Sequence, residues 1–184
     1  ITRDVMFDIN GLGVQGTKLS IGGESMHVNL VGVFNMYNIT AVYSALGQLD
    51  FDSKSIKNVF SQLQGVPGRM EIITGRKHGV VGIVDYAHSP DALQKVLETL
   101  TEMPHNRIIT IIGVGGDRDR SKRPQMAQIT QKHSDYVFYT SDNPRTEDLD
   151  QIFSDLLSGC DTEKNNYTEI RDREQAIKSA VEFA

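Results

Sequence analysis

From Val80 to the end of the chain, short apolar runs rich in β-branched residues alternate with segments of helical spacing. This alternation limits the fold more than any other feature of the sequence. Val80-Val-Gly-Ile-Val84 reads as a buried strand, and Arg107-Ile-Ile-Thr-Ile-Ile112 as a strand covered on both faces of a parallel sheet. Further strands are expected near 135–140 and 167–170, and helices over about 92–100, 124–133 and 147–158 and from 173 onwards. Ser89 is placed to cap the first helix with Pro90 in its first turn, and Asp172-Arg-Glu-Gln175 has the form of a capping box for the last. Successive strand–helix pairs imply an α/β, Rossmann-like, mostly parallel sheet with helices on both faces and right-handed crossovers.

The earlier part follows a different rule. Residues 5–30 alternate loosely and are punctuated by Gly11, Gly13, Gly16 and the Gly22-Gly23 pair, which marks β-hairpins. Gly11-Leu-Gly-Val-Gln-Gly16-Thr-Lys18 looks like a phosphate-binding P-loop, but such a loop needs Lys directly after its second Gly and a helix behind it. Here Thr17 intervenes and a strand-like segment follows. A helix is expected through 39–46 with Asn35 as its N-cap, and a second from Ser53 to about Leu63 with Ser53 as its cap. Asn35 and Asn38 share a helix face, so either both close the helix end or one caps while the other offers its amide to a ligand. Gly65-Val-Pro-Gly68 turns the chain into an expected strand over Arg69–Thr74, and Lys77-His78-Gly79 turns it back. A domain boundary is expected between about Leu63 and Val80, dividing the chain into 1–68 and 69–184.

Ligands on parallel sheets sit beyond the carboxyl ends of the strands. Three polar clusters fall there: Asp85-Tyr-Ala-His88, the loop 113–123, and Asp142-Asn-Pro-Arg145. The loop, ending where Pro124 reads as the first helical residue, exceeds the usual length of a strand-to-helix connection. It holds Arg118, Arg120, Lys122 and Arg123 against Asp117 and Asp119 in a chain of net charge −5, which points to an anionic ligand. Gly113 and Gly115 fit a dinucleotide fingerprint, but Arg118 stands where its third Gly belongs. Asp85 suits either a ribose diol or the capping of a loop, and His88 either a phosphate or a turn. Asp142 and Arg145, set by an Asn-Pro turn, complement the ammonium and carboxylate of a zwitterion, or form a local ion pair.

Composition excludes several classes. The chain has 184 residues, 39% hydrophobic and 23% charged, which is the profile of a globular protein. It shows no apolar run long enough for a membrane helix, no signal peptide and no basic face with interleaved aromatics, so a cytoplasmic protein with neither membrane nor nucleic acid as partner is expected. Cys160 cannot form an internal disulfide and reads as a small buried hydrophobe.

Four segments in register resemble the Mur ligase family: Val66-Pro-Gly-Arg69-Met-Glu71, Asp85-Tyr-Ala-His-Ser-Pro-Asp-Ala-Leu93, Gly115-Gly-Asp-Arg-Asp-Arg-Ser-Lys-Arg-Pro124 and Asp142-Asn-Pro-Arg145. Within the family the tripeptide-synthetase branch is most similar. Ser89, where Thr is more usual, and Val114, where many members have Cys, are minor departures. The resemblance implies ATP-dependent amide formation in peptidoglycan precursor synthesis, with UDP-MurNAc-L-Ala-D-Glu and a diamino acid as substrates, ATP and Mg2+ as cofactors, and a monomeric enzyme. It implies Asn35, Asn38, Arg69 and Asp85 at the ATP site, with His88 a weaker addition, and Arg118, Asp142, Asn143 and Arg145 around the amino acid. The Asp-Asn-Pro-Arg form resembles enzymes that add meso-diaminopimelate. The family's P-loop, carbamylated lysine, acidic metal ligands, UDP-binding domain and Gly-Lys-Gly-His-Glu segment do not occur here. The chain therefore reads as a piece of a longer ligase: the later central ATPase domain followed by most of the carboxyl-terminal domain. By itself it is expected to be inactive, with no catalytic residue or metal ligand assigned. A non-catalytic binding paralogue and a ligase of the folylpolyglutamate synthetase branch are the alternatives.

Overall fold

The computed structural model describes residues 6–74 and 79–184, so the expected turn at Lys77-His78 lies outside the described residues. The described chain up to Thr74, with Val81–Tyr86, forms one compact unit, and Gly79, Val80 and Ala87–Ala184 form a second.

The first unit opens with an antiparallel meander of β1 (Phe7–Gly13), β2 (Gly16–Ile21) and β3 (Glu24–Val28). Gly22 and Gly23 join β2 to β3 with φ of 58° and 85°, the left-handed values that a two-residue hairpin turn demands. Alternation along β2 and β3 turns Leu19, Ile21, Met26 and Val28 inward, where they meet Met36 and Ile39 of α1 (Val33–Gln48) and Ile56 and Phe60 of α2 (Ser53–Phe60). Both expected caps are displaced. Helix α1 begins at Val33 behind Gly32, so Asn35 lies inside the first turn with its backbone N–H already bonded to the Gly32 carbonyl. Its side-chain Nδ2 instead donates to the Val31 carbonyl at 2.7 Å. The cap of α2 is Asp52, which accepts from the Ser55 N–H at 3.0 Å, and the helix stops at Phe60 rather than Leu63.

Strands β4 (Glu71–Thr74) and β5 (Val81–Val84) pair antiparallel with each other, Ile72 opposite Ile83. The run at 80–84 is therefore not a strand of the parallel sheet, nor is it buried: Val81 and Val84 are exposed. An apolar run without polar alternation does not distinguish a central parallel strand from a short two-stranded ribbon, because both consist of β-branched residues.

The parallel sheet belongs to the second unit and has three strands, β6 (Ile109–Ile112), β7 (Tyr136–Tyr139) and β8 (Tyr167–Glu169), in that order. Period-two alternation in β7 divides its two faces. Val137 and Tyr139 enter a core with Met126 and Ala127 of α4 (Lys122–His133) and with Ile152, Phe153 and Leu156 of α5 (Leu149–Leu157). Leu93 and Leu97 of α3 (Pro90–Thr101) complete it. On the other face Phe138 meets Phe183 of α6 (Arg173–Phe183), so helices cover both sides as expected. Ser89, Asp148 and Asp172 cap α3, α5 and α6, each accepting from the N–H three residues on. Helix α4 starts at Lys122, two residues before Pro124. The proline is thus its third residue, still among the N–H groups that a helix start leaves unpaired.

Candidate functional site

Two loops leave the carboxyl ends of adjacent parallel strands, Gly113–Ser121 after β6 and 140–148 after β7. They are bonded to each other along their length. The Gly116 N–H donates to the Asn143 carbonyl at 2.9 Å, and Arg145 Nη1 donates back to the Gly116 carbonyl. One step further, the Asp117 carboxylate accepts from the Thr146 N–H and hydroxyl, while the Asp117 N–H donates to Glu147 Oε1. The approach is close enough to require glycine: a β-carbon on Gly116 would stand 1.9 Å from the Pro144 carbonyl oxygen.

Within the second loop, Asp142 Oδ1 accepts from the Asn143 N–H at 2.8 Å and Asn143 Oδ1 from the Arg145 N–H at 3.0 Å. These bonds set Arg145 in the left-handed region at φ 50°, a conformation a branched side chain resists. Among the described residues Asp142 and Arg145 form no ion pair with each other; the Arg145 guanidinium is instead anchored on the Gly116 carbonyl. Asp142, Asn143 and Arg145 are exposed, as is Arg118 on the facing loop, for which the described residues show no ion pair. The sheet edge therefore brings together two loops that carry all four residues expected to hold an amino acid.

The basic surplus expected of the first loop is largely cancelled from elsewhere. Arg123 is only 2% exposed, and its guanidinium pairs with both oxygens of Glu147 at 2.8 and 2.9 Å and with Asp155 at 2.8 Å. Its Nε is buried without a partner. Arg120 makes a two-pronged pair with the same Asp155, and Lys122 lies 3.8 Å from Asp119. Hydrogen bonds from Arg123 hold the Glu147 carboxyl below its ordinary value, and those from Arg120, Gln151 and Arg123 hold Asp155 lower still. Three of the four cations are thus paired, while Arg118 shows no ion pair among the described residues. Sequence reasoning missed Glu147 and Asp155 because it balanced the loop's charge within the loop; the signal was two acids beside the facing turn and on the following helix.

The other candidates are distributed otherwise. In the first unit Asp85 Oδ2 accepts from the Met70 N–H at 2.9 Å, supporting a residue at φ 45°, and Arg69 lies over the exposed Tyr86 ring at 4.8 Å. Asn35 is turned onto the Val31 carbonyl, while Asn38 is exposed on α1. His88, in the second unit, is exposed between β5 and α3. Cys160 is half-buried beside the Tyr139 side chain, and burial raises its thiol pKa. Among the described residues no cluster of three His, Cys, Asp or Glu side chains is placed to hold a metal ion, and no helix is long and apolar enough to cross a membrane.

Residues 68–184 match the family described as Mur ligase, glutamate ligase domain. The chain is 41% identical over 184 residues to a UDP-N-acetylmuramoyl-L-alanyl-D-glutamate–2,6-diaminopimelate ligase of Clostridioides difficile, covering 100% of this chain and 38% of that protein. It is 46% identical over 175 residues to the like-named enzyme of Parabacteroides distasonis, covering 92% of this chain and 35% of that one. A solved structure of such a ligase aligns with a TM-score of 0.69 at 39% identity, over 100% of this chain and 38% of the other. A folylpolyglutamate synthase of Thermotoga maritima aligns with a TM-score of 0.74 at 20% identity, over 96% and 42%, which speaks for the fold alone. This chain spans little more than a third of the length of those diaminopimelate ligases. With the domain matched over well more than half of its residues, and with relatives above two-fifths identity, the chain belongs to the Mur ligase family.

Proposed function

We propose that this chain is the amino-acid-selecting part of an ATP-dependent ligase that joins meso-diaminopimelate to UDP-MurNAc-L-Ala-D-Glu in peptidoglycan precursor synthesis. The observation that carries the reading is the Asp142–Arg145 turn. It exposes a carboxylate and a guanidinium on a backbone locked by its own side chains and by the facing loop. Only one guanidinium N–H group is used by the Gly116 carbonyl, which leaves Arg145 the capacity to pair with a carboxylate.

In this reading residues 1–68 belong to the later part of an ATP-binding domain and 69–184 to the amino-acid-binding domain. Arg118, Asp142, Asn143 and Arg145 hold the diamino acid: Asp142 takes the ammonium, and the arginines its carboxylates. Asn35, Asn38, Arg69 and Asp85, with His88, hold ATP. The γ-phosphoryl group passes to the dipeptide carboxylate and ADP leaves. The free amine then attacks the acyl phosphate, forming the amide bond and releasing phosphate. What this chain contributes is orientation of the amine and charge complementarity toward the amino acid. Mg2+ would be held by residues outside the described chain. A monomeric, cytoplasmic enzyme fits the reading.

The test is phosphate release by the complete ligase containing this sequence, in the presence of the UDP-MurNAc-dipeptide. The reading expects release that depends on meso-diaminopimelate and is far weaker with lysine. Release driven equally by lysine would reject the substrate, and release driven by glutamate on a folate acceptor would favour the folylpolyglutamate branch.

A further inference from the structure

We infer that Arg123, acting through Glu147, is a positioning residue that sets the register between the two loops of the amino-acid site. This deepens the reading above and rests on it. Arg123 lies at the start of α4 and is almost wholly buried, so it presents next to no surface of its own to a ligand. Its guanidinium nevertheless reaches both loops: Nη2 lies 3.4 Å from the Gly115 carbonyl on one and forms the two-oxygen pair with Glu147 on the other. Glu147 then closes the circuit, because the oxygen that accepts from Arg123 also accepts the Asp117 N–H. Asp117 lies directly before Arg118, and Glu147 two residues after Arg145. A shift of the Glu147 carboxylate therefore moves both substrate-facing arginines relative to each other.

Asp155 supplies the control. It also pairs with Arg123, at the same 2.8 Å and with similar exposure, but its remaining partners are Arg120 and Gln151. Loss of its charge weakens the same buried ion without a direct bond to the Asp117–Arg118 backbone. A planar guanidinium is needed at Arg123 because three acceptors in different directions must be met at once, which a lysine ammonium on a flexible stem does not reproduce.

The experiment compares Glu147→Gln, Asp155→Asn and Arg123→Lys in the complete ligase, measuring KM for each substrate, kcat and thermal midpoint. The expected result is a rise in amino-acid KM of roughly tenfold or more for Glu147→Gln and Arg123→Lys, since a displacement of about 1 Å suffices for such losses. The KM values for ATP and the UDP-MurNAc-dipeptide should stay within about twofold. Asp155→Asn should lower the thermal midpoint comparably while leaving amino-acid KM near wild type. Equal KM changes for Glu147→Gln and Asp155→Asn, or lowered midpoints with unchanged KM in both, would reduce the knot to simple stabilisation and overturn the inference. If Glu147→Gln fails to fold, Arg123→Lys decides, because it keeps the buried charge and loses the planar fork that meets Glu147: a raised amino-acid KM beside a near-wild-type value in Asp155→Asn supports the inference, an unchanged one overturns it. Should the wild type use a different amino acid, the substrate reading fails, and the same comparison with that amino acid still tests the positioning role.

Discussion

A β-carbon at Gly116 meets backbone rather than a movable side chain, so Gly116→Ala has no local escape except to push the two loops apart. The complete ligase carrying it is expected to lose amino-acid affinity by about two orders of magnitude, while equilibrium ATP binding in a direct titration stays close to wild type. Wild-type amino-acid affinity in that variant would contradict the close approach described here. Asp85 calls for a gentler change, because its carboxylate supports the Met70 N–H as well as being proposed for the ribose. Asp85→Asn keeps an oxygen for Met70 but removes the charge, and is expected to weaken ATP by roughly 1.5–3 kcal/mol, the worth of a charge-assisted hydrogen bond. An ATP affinity unchanged in Asn but lost in Ala would assign Asp85 to the turn alone. Residue identity was the most legible layer of the sequence: Asp142, Asn143, Arg145 and Arg118 all fall on the two bonded loops. What it did not show was direction. Arg123 and Arg118 are the same residue type five positions apart, yet one is buried in a salt-bridge knot and the other faces solvent. That difference is decided by acids more than twenty residues downstream.

At the scale of elements, the knot between α4, α5 and the second loop makes stability depend on pH in a defined sense. Both folded-state carboxyl pKa values lie below their ordinary values of 4.5 for Glu147 and 3.8 for Asp155. Their contribution is therefore fully present above those ordinary values, and it is lost as pH falls through the lower, folded ones. Glu147→Gln cannot titrate at that position. The difference in thermal midpoint between wild type and this variant should be largest near neutrality and shrink on acidification below pH 4.5; a difference independent of pH would show that the charge of Glu147 contributes nothing. Helix caps offer a separate check: Asp148→Ala removes the bond to the Gln151 N–H and is expected to cost about 1 kcal/mol in a denaturant titration. The elements themselves were legible wherever a cap and a period agreed, as at Ser89 and Asp172. They were misplaced where propensity competed with position: Ser53 and Asn35 are good capping residues, yet Asp52 and Gly32 stand one and three residues ahead of them. The run 80–84 failed for another reason, since its partner, Glu71–Thr74, was read as a separate strand and not as its antiparallel mate.

At the scale of the whole molecule, the alternation expected from Val80 onwards was enough to foresee a parallel sheet covered on both faces. The number of strands was not, because strand pairing is a property of two distant segments and a single run carries no record of it. The same geometry gives the account its most direct test. If Arg145, held by the Gly116 carbonyl and assisted by Arg118, pairs with the distal carboxylate of meso-diaminopimelate, then lysine leaves a guanidinium without its partner, and such sites discriminate by about 10⁴ or more. The measurement is kcat/KM for diaminopimelate and for lysine, in the complete ligase and in its Arg145→Ala variant. The account predicts a strong wild-type preference for diaminopimelate that collapses in the variant, with lysine use changing far less. Proportional losses for the two amino acids, or a wild-type preference for lysine, would contradict it.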